Sequence, residues 1–237
     1  MNKKIQIATM ALLGSAFHTA LHASPVAANY GDLILGFETT AGGTKNLEID
    51  LGSYASLSSF TTLNLYSDLT NVFGNSFSST VSYGVYGVVA PIHWSQVYLT
   101  APNGQAAFGA LPHGNTSANQ DYTGLVDTYN LQLTNGVTTA DGVSVSSSAL
   151  GAWSTYLPST SPFGVSADHN IETTIGSSLN LFDKTYTPNV VDSTPYSIEV
   201  NSSGLLTVET VPEPATEALI GMGILIAAVS YRRHTRN

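Results

Sequence analysis

The sequence predicts a mainly β fold: a single β-sandwich-like domain with one or two short helices, flanked by an N-terminal signal helix and a C-terminal transmembrane helix. Three observations lead there. Through the middle of the 237-residue chain, apolar residues alternate with polar ones or form short runs bounded by Gly, Asn, Asp and Ser, which is how strands read. Hydrophobic residues make up 43% and charged residues 10%, which allows a sizeable core, and the abundance of Ser, Thr, Gly and Asn favours short strands and turns over long helices. Two uncharged runs, 5–17 and 218–231, stand at the ends, each beside a small basic cluster. These features divide the chain into 1–28, 29–210 and 211–237.

Within 29–210 the elements follow in order. Residues 31–38 (GDLILGFE) and 46–51 (NLEIDL) read as two strands around Ala41-Gly42-Gly43, a natural hairpin turn. In the second, Leu47, Ile49 and Leu51 face one way and Glu48 and Asp50 the other. Residues 81–90 (VSYGVYGVVA) form a strong strand with Val81, Tyr83, Val85, Gly87 and Val89 on one face, and 94–100 (WSQVYLT) follows after Pro91. Near the end, 196–200 and 205–209 flank Asn201-Ser202-Ser203-Gly204, a second hairpin. Two stretches carry helix-like spacing. One is 63–73, through Leu65, Leu69, Val72 and Phe73, with Thr61 or Thr62 as a cap. The other is 147–157, through Leu150, Trp153 and Leu157, ended by Pro158. With no internal repeat and no long linker, 29–210 reads as one domain.

The ends read as addresses. Lys3 and Lys4 precede the first apolar run, and small residues follow it, the build of a secretory signal peptide. Cleavage fits after Ala23, where Leu21 is bulky two positions before. It also fits after Ala28, where Val26-Ala27-Ala28 obeys the small-x-small rule better. At the other end Val211-Pro212-Glu213-Pro214 stops the domain, because two prolines can neither continue a ladder nor sit inside a helix. A helix over about 215–231 follows, then a basic end, 232–237, with Arg232, Arg233 and Arg236. Its fourteen uncharged residues span about 21 Å as helix, short of a ~30 Å hydrocarbon core. Gly221 and Gly223 weaken it further. The arginines favour a cytoplasmic end. This describes a weak outside-to-inside anchor suited to temporary retention.

The Val-Pro-Glu-Pro motif, the Ala/Leu/Ile/Gly helix and the Arg cluster together resemble the PEP-CTERM sorting domain of exopolysaccharide-producing Gram-negative bacteria. Three parts match in order over about 27 residues; His234 and Thr235 loosen the Arg cluster. The resemblance implies that Val211, Pro212, Glu213 and Pro214 are recognised by exosortase, a membrane-embedded Cys protease, as a substrate signal. Signal peptidase and exosortase are then the processing partners, with passage through the inner membrane to the cell surface or extracellular matrix. The pairing of 31–37 with 46–52 is also similar, more loosely, to a group of PEP-CTERM proteins, and carries no activity with it.

Composition and motifs narrow the chemistry. Between Asn29 and Thr210 only Lys45 and Lys184 stand against fourteen Asp and Glu, so the domain cannot neutralise phosphates and nucleic acid is excluded as a partner. With no cysteine, disulfides, thiolate metal sites and Cys nucleophiles are excluded. His93, His113 and His169 lack ligand spacing and read as loop residues. No Asp-x-Asp-x-Asp loop occurs, although Asp121, Asp127 and Asp141 remain available to a structural calcium. No Gly-x-Ser-x-Gly elbow or phosphate loop is present, and no cofactor is expected. Tyr83, Tyr86, Trp94 and Tyr98 lie on neighbouring strands, with Tyr122, Tyr129, Trp153 and Tyr156 further on. Such residues stack on sugar rings, and equally serve as β-core residues, the reading favoured here. The expectation is a non-enzymatic surface or matrix protein associated with exopolysaccharide or adhesion. The alternative is a secreted polysaccharide-acting hydrolase, which would need two carboxylates converging in a cleft.

Overall fold

A computed structural model describes residues 25–40, 43–59, 62–88, 96–102, 114–156, 171–185 and 190–211. The expected signal run and the transmembrane helix at about 215–231 lie outside the described residues. No helix among the described residues is long and apolar enough to cross a membrane.

The chain opens with strands β1 (Asp32–Thr39) and β2 (Lys45–Ser53), a 3-10 turn (Tyr54–Ser59) and β3 (Thr62–Asn64). Helices α1 (Tyr66–Phe73) and α2 (Phe77–Thr80) lead into β4 (Val81–Val88) and β5 (Gln96–Pro102). Then come α3 (Gly114–Thr134), β6 (Val143–Ser146), α4 (Trp153–Tyr156) and the two-residue β7 (Thr173–Thr174). Strands β8 (Ser178–Thr185), β9 (Val190–Val200) and β10 (Leu205–Thr210) close the domain.

The mainly β expectation holds, but the layering differs from two stacked sheets. The described strands form one antiparallel sheet in the order β3-β10-β9-β8-β5-β4-β1-β2-β6, with β7 added beside β4. The sheet curls so that one face encloses a cluster drawn from both halves, including Leu35, Phe37, Ile49 and Val85 from one side and Leu181, Ile198, Val200 and Leu206 from the other. The opposite face of β1, β4 and β5 is covered by α3 and α4, through Tyr122, Leu125, Val126, Tyr129 and Trp153. β4 is therefore buried along its whole length.

Both expected hairpins are present. β1 and β2 pair with Phe37 opposite Leu47, and β9 pairs with β10, Val200 opposite Leu206. In the second turn the Asn201 side-chain oxygen accepts the N–H groups of Ser203 and Leu205, both at 3.0 Å. Gly204 adopts φ +76° there, a left-handed conformation that favours glycine. The helical stretches differ from expectation. Residues 62–64 pair as a strand, and α1 begins only at Tyr66, whose N–H donates to Asn64 Oδ1 at 3.1 Å where a Thr cap had been expected. Among the described residues of 147–157, which end at 156, only Trp153–Tyr156 is helical, and Leu150 is 82% exposed. The 21-residue α3 was not expected at all.

One packing detail fixes the α4 side. Gly36 and Gly84 are direct cross-strand partners on β1 and β4, and the Trp153 ring occupies the notch they leave. A Cβ on Gly36 would come within 1.8 Å of Trp153 Cδ2, and one on Gly84 within 3.2 Å of Trp153 Cζ2 and 2.7 Å of the Ile171 carbonyl. Gly36→Ala should therefore cost about 3 kcal/mol or more of stability, at the upper end of overpacking effects. Trp153→Ala should cost about 3–5 kcal/mol. Denaturant unfolding of both and of the double variant checks this: the Gly36→Ala penalty should largely vanish once Trp153 is Ala.

Candidate functional site

The elements around Trp153 bring acidic side chains together. Glu38, near the end of β1, lies in register opposite Ser82 of β4. Glu172 immediately precedes β7, which pairs with β4 at Ser82 and Tyr83. Glu172 Oε1 accepts the indole N–H of Trp153, and Oε2 accepts the Ser82 hydroxyl at 3.1 Å. Glu38 lies within hydrogen-bond reach of the Glu172 carboxyl, and a like charge so close favours the protonated form of Glu38. Burial, then the Glu172 charge and the hydrogen bond to it, push Glu38 up to about 8.

A third acid lies beneath α4. Glu48 of β2 is fully buried; its Oε1 accepts the backbone N–H of Trp153 at 2.9 Å, and Oε2 has no hydrogen-bond partner among the described residues. Burial raises its carboxyl to about 8, partly offset by the Trp153 N–H. Two residues on, burial raises Asp50 to about 6, offset by the Gly52 N–H and reinforced by the charge of Asp32. Beside Glu48, Asn46 Oδ1 accepts both the N–H (3.2 Å) and the hydroxyl (2.7 Å) of Ser154.

Next to this cluster runs an open groove of about 370 Å³, lined by Glu38, Thr39, Thr40, Gly43, Asn46, Ser147 and Ser154. Its lining offers hydroxyls, an amide and one carboxyl, with no cation. Chemically, the groove can exchange hydrogen bonds with a polyhydroxylated ligand, and Glu38, raised to about 8, can hold or release a proton at its rim.

The residues expected from the sequence are distributed differently. Tyr83 and Tyr86 are 0% exposed and Tyr98 5%, so these three form no aromatic contact face. Alternation sends Tyr83 into the inner cluster and Tyr86 into the outer one. The Tyr83 hydroxyl lies 2.5 Å from the Ser177 carbonyl and accepts the Val200 N–H at 3.1 Å. Tyr98 stacks on Tyr54 with ring centroids 4.4 Å apart. Trp94 and His93, His113 and His169 lie outside the described residues, as do Pro212, Glu213, Pro214, Arg232, Arg233 and Arg236. Val211 is described and exposed. Asp127 accepts the Tyr30 hydroxyl at 2.9 Å, and the buried Asp141 donates its N–H to Asp68 Oδ1 at 3.0 Å. Among the described residues no three His, Cys, Asp or Glu side chains converge as a metal site.

Sequence reading did not single out Glu38, Glu48 or Glu172. Glu38 and Glu48 occupy polar positions of alternating strands, which look solvent-facing until α4 is known to cover them. The chain matches no protein-family model, no curated protein and no solved structure.

These acids impose a pH dependence of definite sign. Unfolded Glu and Asp titrate near 4, whereas Glu38 and Glu48 are raised to about 8 and Asp50 to about 6. Between these limits the folded chain binds more protons than the unfolded chain, so stability falls as pH rises. The contribution is complete below about pH 4 and lost by the time pH passes about 8. Thermal unfolding should give a lower Tm at pH 8.5 than at pH 5, and Glu48→Gln, which keeps an oxygen for the Trp153 N–H, should flatten that slope. A Tm that is flat or rises across this interval would contradict the assignment.

Proposed function

We propose that this chain is a non-enzymatic exported protein of the cell surface or extracellular matrix, delivered by a signal helix over 1–28 and sorted by exosortase through its C-terminal tail. The observation that carries this reading is the order at the C-terminal end. Val211-Pro212-Glu213-Pro214, an uncharged run and an Arg cluster follow one another, beginning directly after β10 ends at Thr210. The exposure of Val211 supports a motif that leaves the folded domain at once and is open to a membrane protease. Association with exopolysaccharide is supported by the groove beside Glu38, whose Thr, Ser and Asn side chains match sugar hydroxyls without demanding charge.

A polysaccharide hydrolase is the second reading, and the Glu38–Glu172 pair at the groove is what favours it. Glycoside hydrolysis, however, requires carboxyls about 5–9.5 Å apart, with the sugar or a water between them. A pair within hydrogen-bond reach leaves no such room. The binding role is therefore preferred.

In a host with active exosortase, Glu213→Ala should leave the fold intact and block release, so that the protein accumulates in the inner membrane with its Arg tail attached. Glu217→Ala, four residues on, should matter far less. Membrane fractionation with intact mass reads the outcome. Release of the Glu213 variant at wild-type rate would reduce the tail to a plain anchor.

A further inference from the structure

Residues 28–32 are a built part of the fold, held along α3. The Ala28 N–H donates to Asn130 Oδ1 at 2.9 Å, and Asn130 Nδ2 donates back to the Ala28 carbonyl at 3.0 Å. One side-chain amide thus spends both its groups on the backbone of one residue. The Ala28 methyl packs into the outer cluster at 5% exposed, whereas Val26 is 64% exposed. Two turns earlier on α3, the Tyr122 hydroxyl donates to the Asp32 carbonyl at 2.5 Å and accepts the Gly31 N–H at 3.0 Å. Between them, Asp127 accepts the Tyr30 hydroxyl at 2.9 Å. Positions 122, 127 and 130 of α3 therefore fasten the segment at three points.

The two possible signal-peptidase cuts treat this strap differently. A cut after Ala28 removes the buried methyl and both backbone groups that Asn130 bonds, leaving a half-buried amide without them. Leaving such groups unsatisfied costs more than the bonds contributed. A cut after Ala23 leaves the whole strap in place, and its sequence cost is the bulky Leu21 two residues before. Cleavage precedes folding, so the fold does not block the second site. It reveals which product the rest of the chain is matched to.

We infer that signal peptidase hydrolyses the Ala23–Ser24 bond, and that the mature protein begins with an N-terminal strap docked on α3 by Asn130, Asp127 and Tyr122. Water supplies the hydroxyl of the new Ala23 carboxylate and a proton for the freed Ser24 amine. The inference rests on the export reading proposed above.

The test uses the protein isolated from the exterior of its exporting host, by N-terminal sequencing and intact mass. A chain beginning at Ser24 is expected. One beginning at Asn29 overturns this inference and leaves export standing, whereas a chain found only inside the cell with residues 1–23 still attached overturns the export reading itself. Two variants give a second readout. Ala23→Arg should accumulate uncut precursor, while Val26→Arg, at an exposed position two residues before Ala28, should be processed normally; the reverse pattern overturns the inference. In the exported protein Asn130→Ala should lower Tm by several degrees, and an unchanged Tm shows that the strap is not held as described.

Discussion

The Trp153 ring seated on Gly36 and Gly84 is the contact from which the α4 side of the molecule is organised. A side chain at Gly36 would overlap the indole itself, and one at Gly84 would meet the Ile171 carbonyl first and the ring edge second, so two adjacent strands go without side chains at the register where the ring sits. The ring then makes polar commitments in two directions. Its backbone N–H goes to Glu48 on β2, and its indole N–H goes to Glu172 before β7. The neighbouring Ser154 goes to Asn46. A helix of only four residues has little stability of its own, and these anchors to β1, β2 and β4 hold it. The same geometry draws Glu172 against Glu38. The carboxyl pair is thus a consequence of where the tryptophan's N–H must find an acceptor.

A domain with two lysines and fourteen acids has few cations to stabilise a buried carboxylate. It uses backbone and hydroxyl donors, and protonation. Asp68, 0% exposed, accepts the Asp141 N–H; Glu172 accepts from Trp153 and Ser82; Glu38 and Glu48 are raised to about 8 chiefly by burial. Each arrangement follows from the same cost, since an ionised carboxylate out of water either finds donors or keeps its proton. In the binding role proposed above, a protonated Glu38 at the groove's rim would also supply a donor that a carboxylate lacks.

The two hairpins, β4 and part of α1 could be read in the sequence, because period-two alternation and Gly/Asn/Ser turns are local signals. Alternation correctly separated Leu47, Ile49 and Leu51 from Glu48 and Asp50, yet it says only which residues share a face. It does not say whether that face is wet. Glu48 is buried because α3 and α4, encoded far along the chain, cover it. Tyr83 and Tyr86 illustrate the same gap from the other side: both faces of β4 are covered, so neither tyrosine can meet a ligand. The helix α3 did carry a signal. Tyr122, Leu125, Val126, Tyr129 and Leu133 recur at i, i+3, i+4, i+7 and i+11, the stripe of an amphipathic helix. A start of Gly, Asn, Thr and Ser, residues of low helix propensity, hid it. The site escaped reading because its members come from β1, β2, β4, α4 and the approach to β7, and only the curled sheet unites them.

A single sheet of this kind faces a further demand, since its open edges invite pairing with other copies. Here the terminal strands are the shortest of the main path, three residues in β3 and four in β6, so each presents few unpaired backbone groups. Beyond β3 the strand β10 continues only as Val208-Glu209-Thr210, carrying a charge before the prolines that cannot extend a ladder. At the other end of the domain, the strap over 28–31 is tied to α3 and joins the sheet only at Asp32, the first residue of β1. Among the described residues, neither the segment before β1 nor Val211 after β10 adds a long unpaired strand. In the binding role proposed above, association would run through side-chain surfaces such as the groove beside Glu38 and not through backbone pairing.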